Sequence, residues 1–86
     1  MHQLILYSRP GCHLCESVEQ TILFVARRRP LALTVKNIDE DAEAHSKYHE
    51  LIPVVLLNGR EIARYRLSTQ ELEAALLVAE SSGEVK

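Results

Sequence analysis

Short apolar runs alternate along this chain with longer stretches in which apolar residues recur every three or four positions. Residues 3–8, Q-L-I-L-Y-S, form the first run and predict a short buried strand, ended by Pro10-Gly11. From Cys12 the spacing changes. Leu14, Val18, Ile22 and Val25 share one helical face, and Arg27, Arg28 and Arg29 close the segment before Pro30. Cations at that end complement the negative pole of the helix dipole, a simpler role for the three arginines than a binding patch.

Residues 31–38, L-A-L-T-V-K-N-I, alternate again and predict a second strand with Leu31, Leu33 and Val35 on one side. The acidic opening of D-E-D-A-E-A-H-S-K-Y-H-E suits a helix N-terminus, with Asp39 or Asp41 as N-cap. Pro53 opens the strand P-V-V-L-L. Asn58-Gly59 is a strong hairpin signal, and R-E-I-A-R-Y-R-L predicts the returning strand. Ser68-Thr69-Gln70-Glu71 matches a capping box, and Leu72, Ala75, Leu76 and Ala79 supply the buried face of a last helix. The tail S-S-G-E-V-K is expected to fray.

The resulting order is βαβαββα, an α/β pattern. Its first half is a βαβ unit, which implies a parallel strand pair with a right-handed crossover. Its second half is an antiparallel hairpin followed by a helix. No repeat, linker or low-complexity segment interrupts it. With 86 residues, the chain is expected to form a single domain over residues 1–86.

Composition narrows the function. Apolar residues make up 47% and charged residues 26%, an ordinary globular mixture. A formal net charge of -2 argues against a nucleic-acid binder, which needs a basic surface. The start M-H-Q-L-I-L-Y-S-R-P lacks the basic flank and long apolar run of a signal peptide. No run approaches the ~20 apolar residues that span a bilayer. The expected compartment is therefore the cytoplasm, where thiols are kept reduced.

The chain has two cysteines, Cys12 and Cys15, in Y-S-R-P-G-C-H-L-C. At i and i+3 on the first turn of a helix they are close enough to form a disulfide. Free main-chain N–H groups and the positive end of the dipole favour a thiolate on the first sulfur. Such sites lower a thiol pKa from about 8.5 into a range of roughly 3.5 to 7.5. Arg9 adds positive charge nearby. The thiolate is the attacking species in disulfide exchange, and the second, deeper cysteine stays a thiol until it resolves the mixed disulfide.

Other readings compete. A structural disulfide would close too short a loop to stabilise much and would be reduced in the cytosol. A zinc site would join Cys12 and Cys15 to His45 and His49. However, Cys15 and His45 are about 30 residues apart, against about 12 to 15 in a zinc finger. Two cysteines buried as small hydrophobes are the third alternative. The strand–turn–helix setting favours redox chemistry over all three. Around the pair, His13 either lowers the thiolate pKa further or merely fills an exposed first helical position. Tyr7 either flanks the thiolate or packs its ring. His45 and His49, at i and i+4, read more simply as a solvated face than as metal ligands.

Y-S-R-P-G-C-H-L-C after a strand, with L-I-P-V-V-L-L-N-G-R-E-I about forty residues later, resembles a glutaredoxin-like member of the thioredoxin superfamily. The resemblance runs from Leu4 to about Ala79. It implies a thioredoxin-like fold, a four-stranded mixed sheet flanked by three helices. By the same resemblance the protein would be a thiol–disulfide oxidoreductase. Cys12 would be the nucleophile and Cys15 the resolving thiol, with no bound cofactor or metal. Pro53 would be cis and lie beside the pair, and Ile52 would offer main-chain groups to an extended thiol substrate such as glutathione. Arg9 would stand near the thiolate and the glutathione carboxylate. Protein or glutathione disulfides are the implied partners, glutathione the implied co-substrate, and a thioredoxin-type protein an implied reductant. A monomer is expected, with no nucleic-acid or membrane partner.

The chain departs from that family pattern in two places. Many glutaredoxins place Gly-Gly and then acidic residues after the fourth strand. Here the stretch is Ala63-Arg64-Tyr65-Arg66-Leu67. Side chains there would block close main-chain approach, while Arg64 and Arg66 either attract ligand carboxylates or sit solvated on an edge strand. The dipeptide between the cysteines is His13-Leu14, where common glutaredoxins carry Pro-Tyr. Dithiol chemistry survives these changes, and the choice between glutathione and protein substrates stays open. The contrasting hypothesis is a non-enzymatic thioredoxin-fold binding module or a cysteine-based metal carrier.

Overall fold

The computed structural model describes residues 1–81 and 83, so most of the tail expected to fray lies outside the described residues. The elements are β1 (His2–Ser8), α1 (His13–Ala26), β2 (Leu31–Asn37), a single 3-10 turn (Ile38–Glu40), α2 (Ala42–Tyr48), β3 (Val54–Leu57), β4 (Arg60–Arg64) and α3 (Thr69–Ser81). The four strands form one mixed sheet in the order β2-β1-β3-β4. β1 runs parallel to β2 and antiparallel to β3, and β3 runs antiparallel to β4.

Strand alternation divides the core into two layers. Leu4 and Leu6 of β1 and Val55 and Leu57 of β3 face α1 and α3, where they meet Val18, Ile22, Leu72 and Leu76. Tyr7, Val54 and Leu56 face the other way and pack with Ile38, Ala44 and Tyr48 beneath α2. The Tyr7 and Tyr48 rings lie 4.7 Å apart, centroid to centroid, so Tyr7 packs its ring. Each fully buried aliphatic side chain removes enough apolar surface from water to contribute about 1.5 to 3 kcal/mol.

The caps explain the boundaries. Asp41 is the N-cap of α2, its carboxylate accepting from the N–H groups of Glu43 and Ala44. Residues 38–40 form the 3-10 turn instead of the first turn of that helix. At α3 the capping box closes in both directions: the Glu71 N–H donates to Ser68 Oγ and the Ser68 N–H to Glu71 Oε1, each at 3.0 Å. The Ser68 main-chain bond is the main cause that holds the Glu71 carboxyl below its ordinary range. Ser68→Ala should destabilise the fold by about 1 kcal/mol, measured by urea denaturation.

The hairpin forms at Asn58-Gly59, with φ of 51° and 88°, the left-handed pair that a type I′ turn requires. Its tip is tied to β1 by mutual bonds between Asn58 and Gln3. Buried His2 sits beside it. Asn58 Nδ2 stands 3.4 Å from His2 Nδ1, and His2 Nε2 stands 3.0 Å from Glu80, which also receives Arg29. The His2 hydrogen bond is the main cause that lowers the Glu80 carboxyl pKa. Arg27 is the C-cap of α1, as the basic run suggests, while Arg28 and Arg29 reach Glu73 on α3.

Three local expectations are corrected. Leu14 does not join the apolar face of α1; it is 54% exposed, and Cys15 takes its place beside Val18, Ile22 and Val25. Val35, expected inward with Leu31 and Leu33, is exposed on the edge strand β2, where it lines a groove beside α1. The last strand ends at Arg64 instead of Leu67, because the chain turns at Tyr65.

Candidate redox site

The site begins at the end of β1. Arg9-Pro10-Gly11-Cys12 makes a turn closed by the Cys12 N–H donating to the Arg9 carbonyl at 3.3 Å. Proline supplies the fixed φ of the second position, and Gly11, at φ 81°, the positive φ of the third. The turn delivers Cys12 to the N-cap of α1, whose first residue, His13, lies one position after the start at Cys12 read from the sequence. Its sulfur fills the place where a serine or aspartate oxygen usually caps a helix.

Cys12 Sγ accepts the N–H of Cys15 at 3.1 Å. The two sulfurs stand at disulfide distance, their Cα atoms 5.2 Å apart. Cys15 is 3% exposed, whereas Cys12 is only half-buried. One sulfur is therefore reachable and the other covered. In the reduced state the same N–H group and the positive helix end would stabilise negative charge on Cys12.

The structure places the remaining candidates unevenly. His13 is the exposed first residue of α1, and its side chain makes no hydrogen bond or ion pair among the described residues. Arg9 lies beside the cysteines, but its guanidinium donates to Asp39 at 3.0 Å. The Ile52–Pro53 peptide bond is cis, and Pro53 is fully buried. Tyr7 pairs with Val54 across the sheet, so Pro53 sits at the end of the sheet from which the Cys12 turn springs. The Tyr65 N–H takes the Pro53 carbonyl at 2.8 Å, while the main-chain groups of Ile52 make no hydrogen bond among the described residues.

Two stretches take up alternatives that the sequence left open. Arg64 is held by Glu61, whose hydrogen bond is the main cause that raises the guanidinium pKa. Tyr65 adopts φ 69°, a left-handed conformation uncommon for a bulky side chain, in the stretch where many glutaredoxins carry glycine. His45 of α2 and His49, its C-cap, stack with ring centroids 5.2 Å apart. Among the described residues no group of three or more His, Cys, Asp or Glu side chains is arranged to hold a metal, so the zinc set of Cys12, Cys15, His45 and His49 is not assembled.

A groove of about 280 Å³ flanks the sulfur pair and is lined by Arg9, Cys12, Cys15, Glu16, Glu19 and Glu40, among others. The sequence reading missed its carboxylates. Glu16 was legible as the residue after Cys15 and Glu19 as its neighbour one turn on, but Glu40 arrives from beyond the far end of β2, which no local pattern reveals.

A family model described as a glutaredoxin-like domain (DUF836) matches residues 3–77. A solved protein of Nitrosomonas europaea is 28% identical at a TM-score of 0.75, covering 86% of this chain and 89% of that one. A structural-genomics target protein of X. campestris is 35% identical at a TM-score of 0.72, covering 88% and 97%. A thioredoxin variant from Halobacterium salinarum is 18% identical at a TM-score of 0.61, covering 92% and 73%, and shares the fold. No curated protein matches the chain. No helix among the described residues is long and apolar enough to cross a membrane.

Proposed function

Because the chain belongs to the glutaredoxin-like domain family, we propose that it is a dithiol thiol–disulfide oxidoreductase. The observation that carries this reading is the N-cap position of Cys12, whose sulfur accepts the Cys15 N–H above a buried partner.

The reduced protein begins the cycle. The Cys12 thiolate attacks one sulfur of a substrate disulfide, forms a mixed disulfide and expels the other substrate sulfur as a thiolate. Cys15 then loses its proton to solvent and attacks Cys12 Sγ. The second substrate thiolate leaves, and the Cys12–Cys15 disulfide remains. Two electrons have passed from the dithiol to the substrate, and an external thiol reductant returns them. Ile52 offers its unbonded main chain to an extended substrate, in the manner of a strand pairing with an exposed edge.

Two measurements test the reading. In the reduced protein, alkylation of Cys12 followed against pH should show a midpoint below about 8.5, the ordinary thiol value. Mixed with a small neutral disulfide and no other reductant, the reduced protein should convert one equivalent to thiols. A midpoint at or above the ordinary value, with no conversion, would overturn the proposal.

A further inference from the structure

The groove beside the sulfur pair carries three carboxylates that no cationic side chain pairs with among the described residues. Glu16 and Glu19 come from one side of α1 and Glu40 from the 3-10 turn after β2; the crossover brings them to one groove with Cys12 and Cys15. None of the three carboxylates makes an ion pair or hydrogen bond among the described residues. The cation of the groove, Arg9, is already neutralised by Asp39 at 3.0 Å. Val35 lines the same groove, so strand alternation turns Lys36 to the opposite face of the sheet.

The other flank of α1 shows no such bias. There Arg66 and Glu71, of opposite sign, share a groove with Leu14 and Tyr65. The carboxylates do not themselves make a binding site. The reachable sulfur of Cys12 marks where a substrate disulfide must arrive, and the carboxylates bias which disulfide arrives there.

From this we infer that the substrate of Cys12 is a protein disulfide flanked by lysine or arginine, and not the glutathione disulfide. The inference rests on the oxidoreductase reading above. Each glutathione carries two carboxylates and one ammonium group, so its disulfide is a net anion entering a groove of like charge. A cationic segment meets the opposite field and is drawn toward the sulfur.

Single-turnover reduction separates the outcomes. Three short peptide disulfides of equal length serve as probes, flanked by arginine, by serine or by glutamate. Each rate with the reduced protein is divided by its rate with free dithiothreitol, which removes intrinsic differences in cystine reactivity. At low ionic strength the arginine peptide should react at least about tenfold faster than the glutamate peptide. The ratio should shrink in high salt, where charges are screened over about 3 Å. It should also fall to within about twofold in a variant carrying Glu16→Gln, Glu19→Gln and Glu40→Gln together. Removing charge near Cys12 shifts its reactivity toward all three probes alike, so the ratio remains the readout. Equal rates for the arginine and glutamate peptides overturn the inference, as does a preference that survives in the triple variant. If none of the three is reduced, the oxidoreductase reading itself falls, and the inference with it.

Discussion

Cys12→Ser should abolish disulfide reduction, and Cys15→Ser should arrest it halfway. A serine hydroxyl is hardly ionised at neutral pH, even on a helix N-terminus, and is a poor nucleophile toward sulfur. The loss should be at least about a thousandfold. Cys15→Ser keeps the reachable sulfur and its capping position but removes the group that expels the product. Mass spectrometry should then find the substrate half bound to Cys12 as a stable mixed disulfide. The asymmetry rests on the difference in exposure between the two sulfurs. If Cys12→Ser instead accumulates an adduct on Cys15, the two roles are reversed.

Ile22→Ala should destabilise the fold by about 2 to 5 kcal/mol, the usual cost of a large cavity in a packed core. Ile22 is 0% exposed and lies in the layer formed by Leu4, Leu6, Leu72 and Leu76. For a small domain the total stability is about 5 to 15 kcal/mol, so one such change removes a large share. Leu23, the next residue, is exposed, and Leu23→Ala should cost no more than about 0.5 kcal/mol. Chemical denaturation of the two variants checks both values. Similar losses would mean that α1 is not packed through the face described.

Ile22 and Leu23 also show how far the one-dimensional pattern reaches. Helical spacing put Val18, Ile22 and Val25 on one face, and all three are buried. It put Leu14 there too, and that was wrong. Leu14 lies in the first turn of α1, where Cys15 occupies the inner position. Asn58-Gly59, Ser68 with Glu71, and Pro10-Gly11 were legible because each acts within a few residues, through a positive φ or a main-chain bond. The missed end of β4 has the same logic in reverse. Nothing local in Arg64-Tyr65-Arg66 signals a turn, and Tyr65 holds its left-handed conformation while its N–H is engaged by Pro53, across a strand boundary.

The sequence by itself determined the element order, most of the buried helix faces and the place of Cys12 at the start of a helix. Those features follow from periodicity, caps and turn chemistry, whose range is one or two turns of chain. Only the tertiary structure decided that Asp39 holds the Arg9 guanidinium and that Glu40 joins Glu16 and Glu19 beside the cysteines. Such facts depend on the β1–α1–β2 crossover, which brings residues far apart in the chain to one end of the sheet. Charge acts through space and not along the sequence, so a field built from three separate positions has no signature in any local stretch.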